Sequence, residues 1–157
     1  MICVVDKNNK IINIINADSP TRENERICYP WCSLWEQYTD VEPLEYAKQR
    51  KTAEFKARRD SQEVASIEYN GHSYDYDSKA RERINAAIIA LDQQGADADI
   101  AWTTADDNDV TVTAADLRAV IAAVAVRSNA LHVKYRTLKQ QVQECKTMEE
   151  LEAIKWE

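Results

Sequence analysis

The chain has 157 residues, a formal net charge of -7, 45% hydrophobic and 30% charged residues, and only two Gly and three Pro. That balance describes a folded, largely helical protein and excludes a disordered or membrane-embedded one. The acidic balance disfavours nucleic-acid binding by the whole surface, and so few glycines nearly exclude a phosphate-cradling loop.

The longest apolar run, 120–126, is far too short to cross a bilayer. Met1 to Asp6 lack the basic and apolar regions of a signal peptide, so the expected site of synthesis and folding is a cytoplasm.

Ile2 to Val5 and Ile11 to Ile15 are β-branched runs separated by Asp6-Lys7-Asn8-Asn9-Lys10. They predict an antiparallel hairpin whose Asn pair supplies the positive-φ turn. Two strands alone are marginal, so this hairpin must rest on something else. Residues 16–40 are polar and then abruptly aromatic, with Tyr29, Trp31, Trp35 and Tyr38 close together. These four are the candidate partner-binding residues, because Trp and Tyr are the usual interface anchors. Covering the small hairpin is the competing role, and the small size of the region favours it.

Cys28 and Cys32 bracket Tyr-Pro-Trp with three residues between them, whereas redox motifs and many zinc knuckles use two. No matching Cys or His pair follows, so the expectation is free thiols and no metal. A disulfide after release into an oxidising medium is the alternative. Cys3 and Cys145 read as small core residues.

Pro43 suits the first turn of a helix running to about Glu63. Its best face (Leu44, Ala47, Lys51, Phe55, Arg58) is thin, which predicts a charged linking helix between modules. Lys48, Arg50, Lys51, Lys56, Arg58 and Arg59 make this segment basic, while Asp92, Asp97, Asp99, Asp106, Asp107 and Asp109 make a later one acidic. With only Phe55 interleaved, the basic segment points to solvent or an acidic protein partner rather than nucleic acid.

Residues 66–70 and 72–76 flank Asn70-Gly71, the strongest hairpin signal in the chain. Alternation along Tyr74-Asp75-Tyr76-Asp77 places the Tyr pair on one strand face and the Asp pair on the other. Ser78 is expected to cap a helix through about Gln94, ended by Gly95. Residues 100–104 and 110–113 predict a third hairpin around Asp106-Asp107-Asn108-Asp109. An EF-hand loop starting at Asp106 would need Gly where Thr111 stands and Glu where Leu117 stands, so hairpin chemistry is preferred over calcium.

Thr113 to Cys145 reads as one long helix. Leu117, Ile121, Val124, Ser128, Leu131, Tyr135, Leu138, Val142 and Cys145 fall at alternating four- and three-residue spacings, a heptad seam. Thr113 with Asp116, and Thr147 with Glu150, have the form of capping boxes. The second opens a short helix, 148–155, and Trp156 so near the end predicts a docked tail.

The fold class expected is α+β and helix-dominated. It comprises an N-terminal hairpin module (1–42), a linking helix (43–64) and a C-terminal helical domain with two small hairpins (65–157). No nucleophile elbow or Ser, His and Asp set is present, so an enzyme is not expected, nor a cofactor.

The tracts Ile67-Glu68-Tyr69-Asn70-Gly71, Tyr74-Asp75-Tyr76-Asp77 and Ala101-Trp102-Thr103-Thr104-Ala105-Asp106 resemble a domain common in bacteriophages and prophages. In that domain an "fdaD" hairpin tract precedes a "W.tadn..v.lta.el" tract. Val110, Thr113, Leu117 and the closing Glu150 to Trp156 fit the pattern, which covers residues 66–157. The opening Val4 to Asn13 is similar to the first hairpin of phage tail-fibre assembly proteins. The resemblance implies a tail-fibre assembly chaperone or fibre-bound adaptor. Its partner would be a tail-fibre protein, with self-association through helices and neither nucleic acid nor membrane as partners. It would act in the host cytoplasm during assembly, and in the virion tail if it stays bound. The alternatives are a permanent structural subunit of the baseplate and fibre network, and a nucleic-acid-binding regulatory protein.

Overall fold

The computed structural model describes residues 1–157 and is α+β, dominated by helices. The strands are β1 (Ile2–Val5), β2 (Ile11–Ile15), β3 (Glu25–Ile27), β4 (Ile67–Tyr69), β5 (His72–Tyr74), β6 (Asp99–Thr103) and β7 (Asp109–Thr113). The helices are α1 (Leu44–Glu63), α2 (Ser78–Gln94), α3 (Ala114–Glu144) and α4 (Met148–Ala153). None is long and apolar enough to cross a membrane. Two compact units emerge: Met1–Lys51 with Cys145–Ala153, and Thr52–Glu144 with Ile154–Glu157. The helix read as a linker is thus shared between the units, and the residues after α3 are divided between them.

In the first unit, β1 and β2 pair antiparallel as their β-branched composition requires, with Asn9 at φ 59° in the turn. The support this hairpin needed is partly a third strand. β3 pairs antiparallel with β1, giving the order β2-β1-β3. β3 escaped sequence reading because Glu-Arg-Ile is short and mostly charged. What anchors it is the buried Glu25, whose carboxylate accepts from the Thr21 and Arg22 backbone N–H groups at 2.7 and 3.2 Å. These bonds, led by the one from Thr21, hold its pKa below the usual carboxylate range.

In the second unit the core is built from Tyr74, Ile84, Leu91, Trp102, Val112, Leu117 and Val120. The two hairpins β4–β5 and β6–β7 and the helices α2 and α3 each contribute a stripe that no single element could bury alone. The β4–β5 turn carries Asn70 at φ 51° and Gly71 at φ 77°, the double positive-φ geometry that Asn-Gly favours. Arg118 pairs with Asp92, linking α3 to α2.

Three local expectations need correction. β5 ends at Tyr74, so Asp75 and Asp77 do not share a strand face. Asp75 accepts from the Ser66 hydroxyl at 3.2 Å, and Asp77, not Ser78, is the N-cap of α2, accepting from Ala80 N–H at 2.7 Å. A carboxylate one residue earlier wins over the hydroxyl because it adds charge at the positive helix end. The covered face of α1 runs through Ala47, Lys51, Phe55 and Arg59, while Arg58 is exposed.

Thr113 and Asp116 cap α3 reciprocally: Thr113 N–H and hydroxyl donate to the Asp116 carboxylate at 2.9 and 2.7 Å, and Asp116 N–H donates to the Thr113 hydroxyl at 3.2 Å. Every heptad-seam residue named above is buried or half-buried, whereas off-seam Val126 and Val133 are exposed. Part of the cover comes from the second half of α1. Arg59 lies over the Tyr135 ring, and Glu63 accepts from Ser128 at 2.8 Å and contacts His132 at 2.7 Å. Arg127 donates to the carbonyls of Glu63, Ala65 and Ser66, satisfying groups that the end of α1 leaves open. The polar helix α1 is therefore fastened along its C-terminal half by charged side chains.

Candidate binding site on the N-terminal sheet

β1 alternates, so Cys3 and Val5 share one face of the first sheet. Cys3, Val5 and Ile11 form its core, with Ile14, Cys28, Cys32 and Tyr38 packed against them. The last three arrive on the segment after β3. Cys28 N–H donates to the Met1 carbonyl at 3.1 Å, continuing the β1–β3 ladder one step. Cys32 N–H donates to Tyr29 at 3.0 Å, closing the Tyr-Pro-Trp turn.

Beyond the turn the chain is strapped to β2. Trp35 N–H donates to the Ile11 carbonyl at 2.8 Å, and Ile11 N–H donates to Glu36 at 2.9 Å. Tyr38 N–H reaches Asn9 at 2.9 Å, while its hydroxyl donates to Ile27 at 3.1 Å. Segment 28–38 thus covers the cysteine face and bonds to both edge strands.

The four aromatic candidates separate into two kinds. Trp31 stacks on Tyr29 with ring centroids 5.0 Å apart, meets the edge of Tyr46 at 5.6 Å, and donates its indole N–H to Thr39 at 3.0 Å. Tyr29, Trp31 and Tyr38 are half-buried and take part in holding the module together. Trp35 is 64% exposed and sits at φ 70°. The other non-glycine residues at positive φ are Asn9, Asn70 and Asp107, types that tolerate that region; a bulky aromatic does not. Its neighbour Leu34 is exposed too. One backbone bond from Trp35 to Ile11, and one from Ile11 to Glu36, hold an indole out in solvent at a conformational cost.

Below this surface, the Sγ atoms of Cys3, Cys28 and Cys32 all lie within 4.8 Å of one another. Cys3 is fully buried; Cys28 and Cys32 are half-buried. All are free thiols. Burial, reinforced by the two neighbouring cysteines, pushes the Cys3 thiol far up, so it stays protonated when nothing is bound. Spacing in the sequence pairs Cys28 with Cys32 and offers no downstream partner. The third thiol lay upstream, in a strand where a cysteine passes for a small apolar residue. Only the β1–β3 pairing reveals it.

The acidic turn at 106–109 is internally satisfied. Asp106 accepts from the Thr104 hydroxyl and the Asn108 amide, both at 2.6 Å, and the Thr104 bond is the main reason its pKa lies below the usual range. Those bonds tie its carboxylate into hairpin geometry, with Asp107 at φ 58°.

These features define a small α+β protein with an aromatic and thiol-bearing surface on a three-stranded sheet. Residues 46–155 match the family described as a domain of unknown function, DUF4376, and over that span, most of the chain, the protein belongs to it. No curated protein and no solved structure matches. The aromatic and cysteine site precedes the matched residues.

Proposed function

We propose that the protein works by protein binding, as an assembly chaperone or bound adaptor for a phage tail-fibre protein, and that Trp35 is its principal anchor. The observation that carries the binding role is the exposed indole at φ 70°, held by the Trp35 N–H bond to the Ile11 carbonyl and by the Ile11 N–H bond to the carbonyl of the next residue, Glu36. Backbone strain spent on exposing a large apolar side chain stabilises nothing in the isolated fold and is of use only to a partner. The choice of a tail fibre rests on the phage resemblance of residues 66–157 and of the first hairpin. Tyr29, Trp31 and Tyr38 then act by shaping the platform that presents Trp35.

The test is co-expression with a phage tail-fibre protein, followed by affinity pull-down and sizing. The fibre should become soluble and trimeric only when this protein is present, and Trp35→Ala should abolish capture. A fibre that folds alone while nothing co-elutes would sink the reading. Fixed stoichiometry in purified particles would instead make the protein a permanent virion subunit.

A further inference from the structure

We propose that Cys3, Cys28 and Cys32 bind one zinc ion as thiolates, leaving a fourth coordination position to solvent, and that this ion pins segment 28–38 to the sheet. The three thiols come from strand β1, the end of the β3 ladder and the following turn, and converge to within 4.8 Å of one another. Tetrahedral zinc with Zn–S bonds of about 2.3 Å requires sulfurs roughly 3.8 Å apart. Small side-chain rotations reach that from the observed spacing. The donor set is purely thiolate, which selects a soft or borderline metal and disfavours calcium or magnesium.

Burial is graded in the direction such a site needs. Cys3 closes the inner side, while half-buried Cys28 and Cys32 leave the outer side in reach of water. Three protein ligands plus water is an established zinc arrangement. A disulfide would join two of the three sulfurs and leave the third beside it unused; one ion engages all three. Binding is balanced as three thiols plus Zn2+ giving one zinc tris-thiolate of net charge minus one and three released protons, with no oxidant or reductant. Cys145 lies outside the cluster, so the chain carries its own comparison thiol. The inference does not rest on the tail-fibre reading.

The full chain, purified under a non-thiol reductant and stripped of metal, should take up one equivalent of Zn2+ in competition with a chromogenic chelator. Co2+ alone should give a thiolate-to-cobalt charge-transfer band. Zn2+ should suppress alkylation of Cys28 and Cys32. Cys32→Ser and Cys28→Ser should each weaken binding by more than about a hundredfold, beyond what loss of an outer-shell group costs, whereas Cys145→Ser should not. Cys3→Ser is a poor probe because its side chain is buried. If the milder variants do not fold, the wild-type cobalt spectrum and alkylation pattern decide. Absence of stoichiometric uptake, unprotected Cys28 and Cys32, or a two-hydrogen mass loss from a Cys28–Cys32 disulfide that persists under the reductant would each overturn the proposal.

Discussion

Trp35 and Glu25 show how single residues carry this molecule's unusual features. Trp35 holds a positive φ that costs roughly 1–2 kcal/mol for an L-residue with a Cβ. Trp35→Gly should therefore leave the thermal midpoint unchanged or slightly higher, while Trp35→Ala keeps the strain. Both should weaken a fibre complex by about 2 kcal/mol or more if the indole is a hot spot, read as the change in Kd by calorimetry. A large drop in midpoint for Trp35→Gly would show the ring to be structural. Glu25 concerns acid stability. Its folded pKa is lowered, so its contribution is fully present above the unfolded value near 4 and is lost as pH falls through the folded one. Asp116, held down first by the Thr113 hydroxyl, acts in the same direction. Glu25→Gln should flatten the acid limb of a stability–pH profile below about pH 4. A limb unchanged in steepness would assign acid unfolding elsewhere.

At the scale of elements, caps and turns separate what local sequence specifies from what geometry selects. Ser78 is the cap expected for α2, but the Asp77 carboxylate one residue earlier holds that position. Asp77→Ala should lower stability by about 1 kcal/mol, with Ser78→Ala near neutral; the reverse order in denaturant titrations would move the cap. Arg127 is an element-level device that sequence could not show. Its guanidinium serves three carbonyls at and beyond the end of α1, so Lys cannot replace its fork. Arg127→Lys should increase hydrogen exchange in the last turn of α1, and exchange equal to wild type would show the clamp to be dispensable. Boundaries of β6 and β7 moved by a residue because pairing, not composition, ends a strand: Asp99 joins through Thr113 and Thr103 through Asp109.

Over the whole molecule, the second unit closes on itself through its tail. Trp156 packs against Phe55 with ring centroids 5.9 Å apart, lies under the Lys134 ammonium, and donates its indole N–H to Gln62 at 3.3 Å. Phe55 is 2% exposed, so Phe55→Ala should cost about 3–5 kcal/mol and Trp156→Ala less, both read by thermal unfolding. A Trp156→Ala midpoint equal to wild type would mean the tail docks without stabilising.

Legible from residue order were the α+β class, the first hairpin, the Asn-Gly turn, the length and start of α3, its buried seam and the docked tryptophan. These follow from short-range rules, namely residue spacing, cap chemistry and positive-φ preference, which act within a few residues. Tertiary structure alone decided the third strand, the fastening of α1 by Arg59, Glu63 and Arg127, the split among the aromatic residues, and the meeting of Cys3 with Cys28 and Cys32. Each depends on strand pairing or helix packing between residues far apart in the chain, where burial and convergence, not residue type, set the role of a side chain.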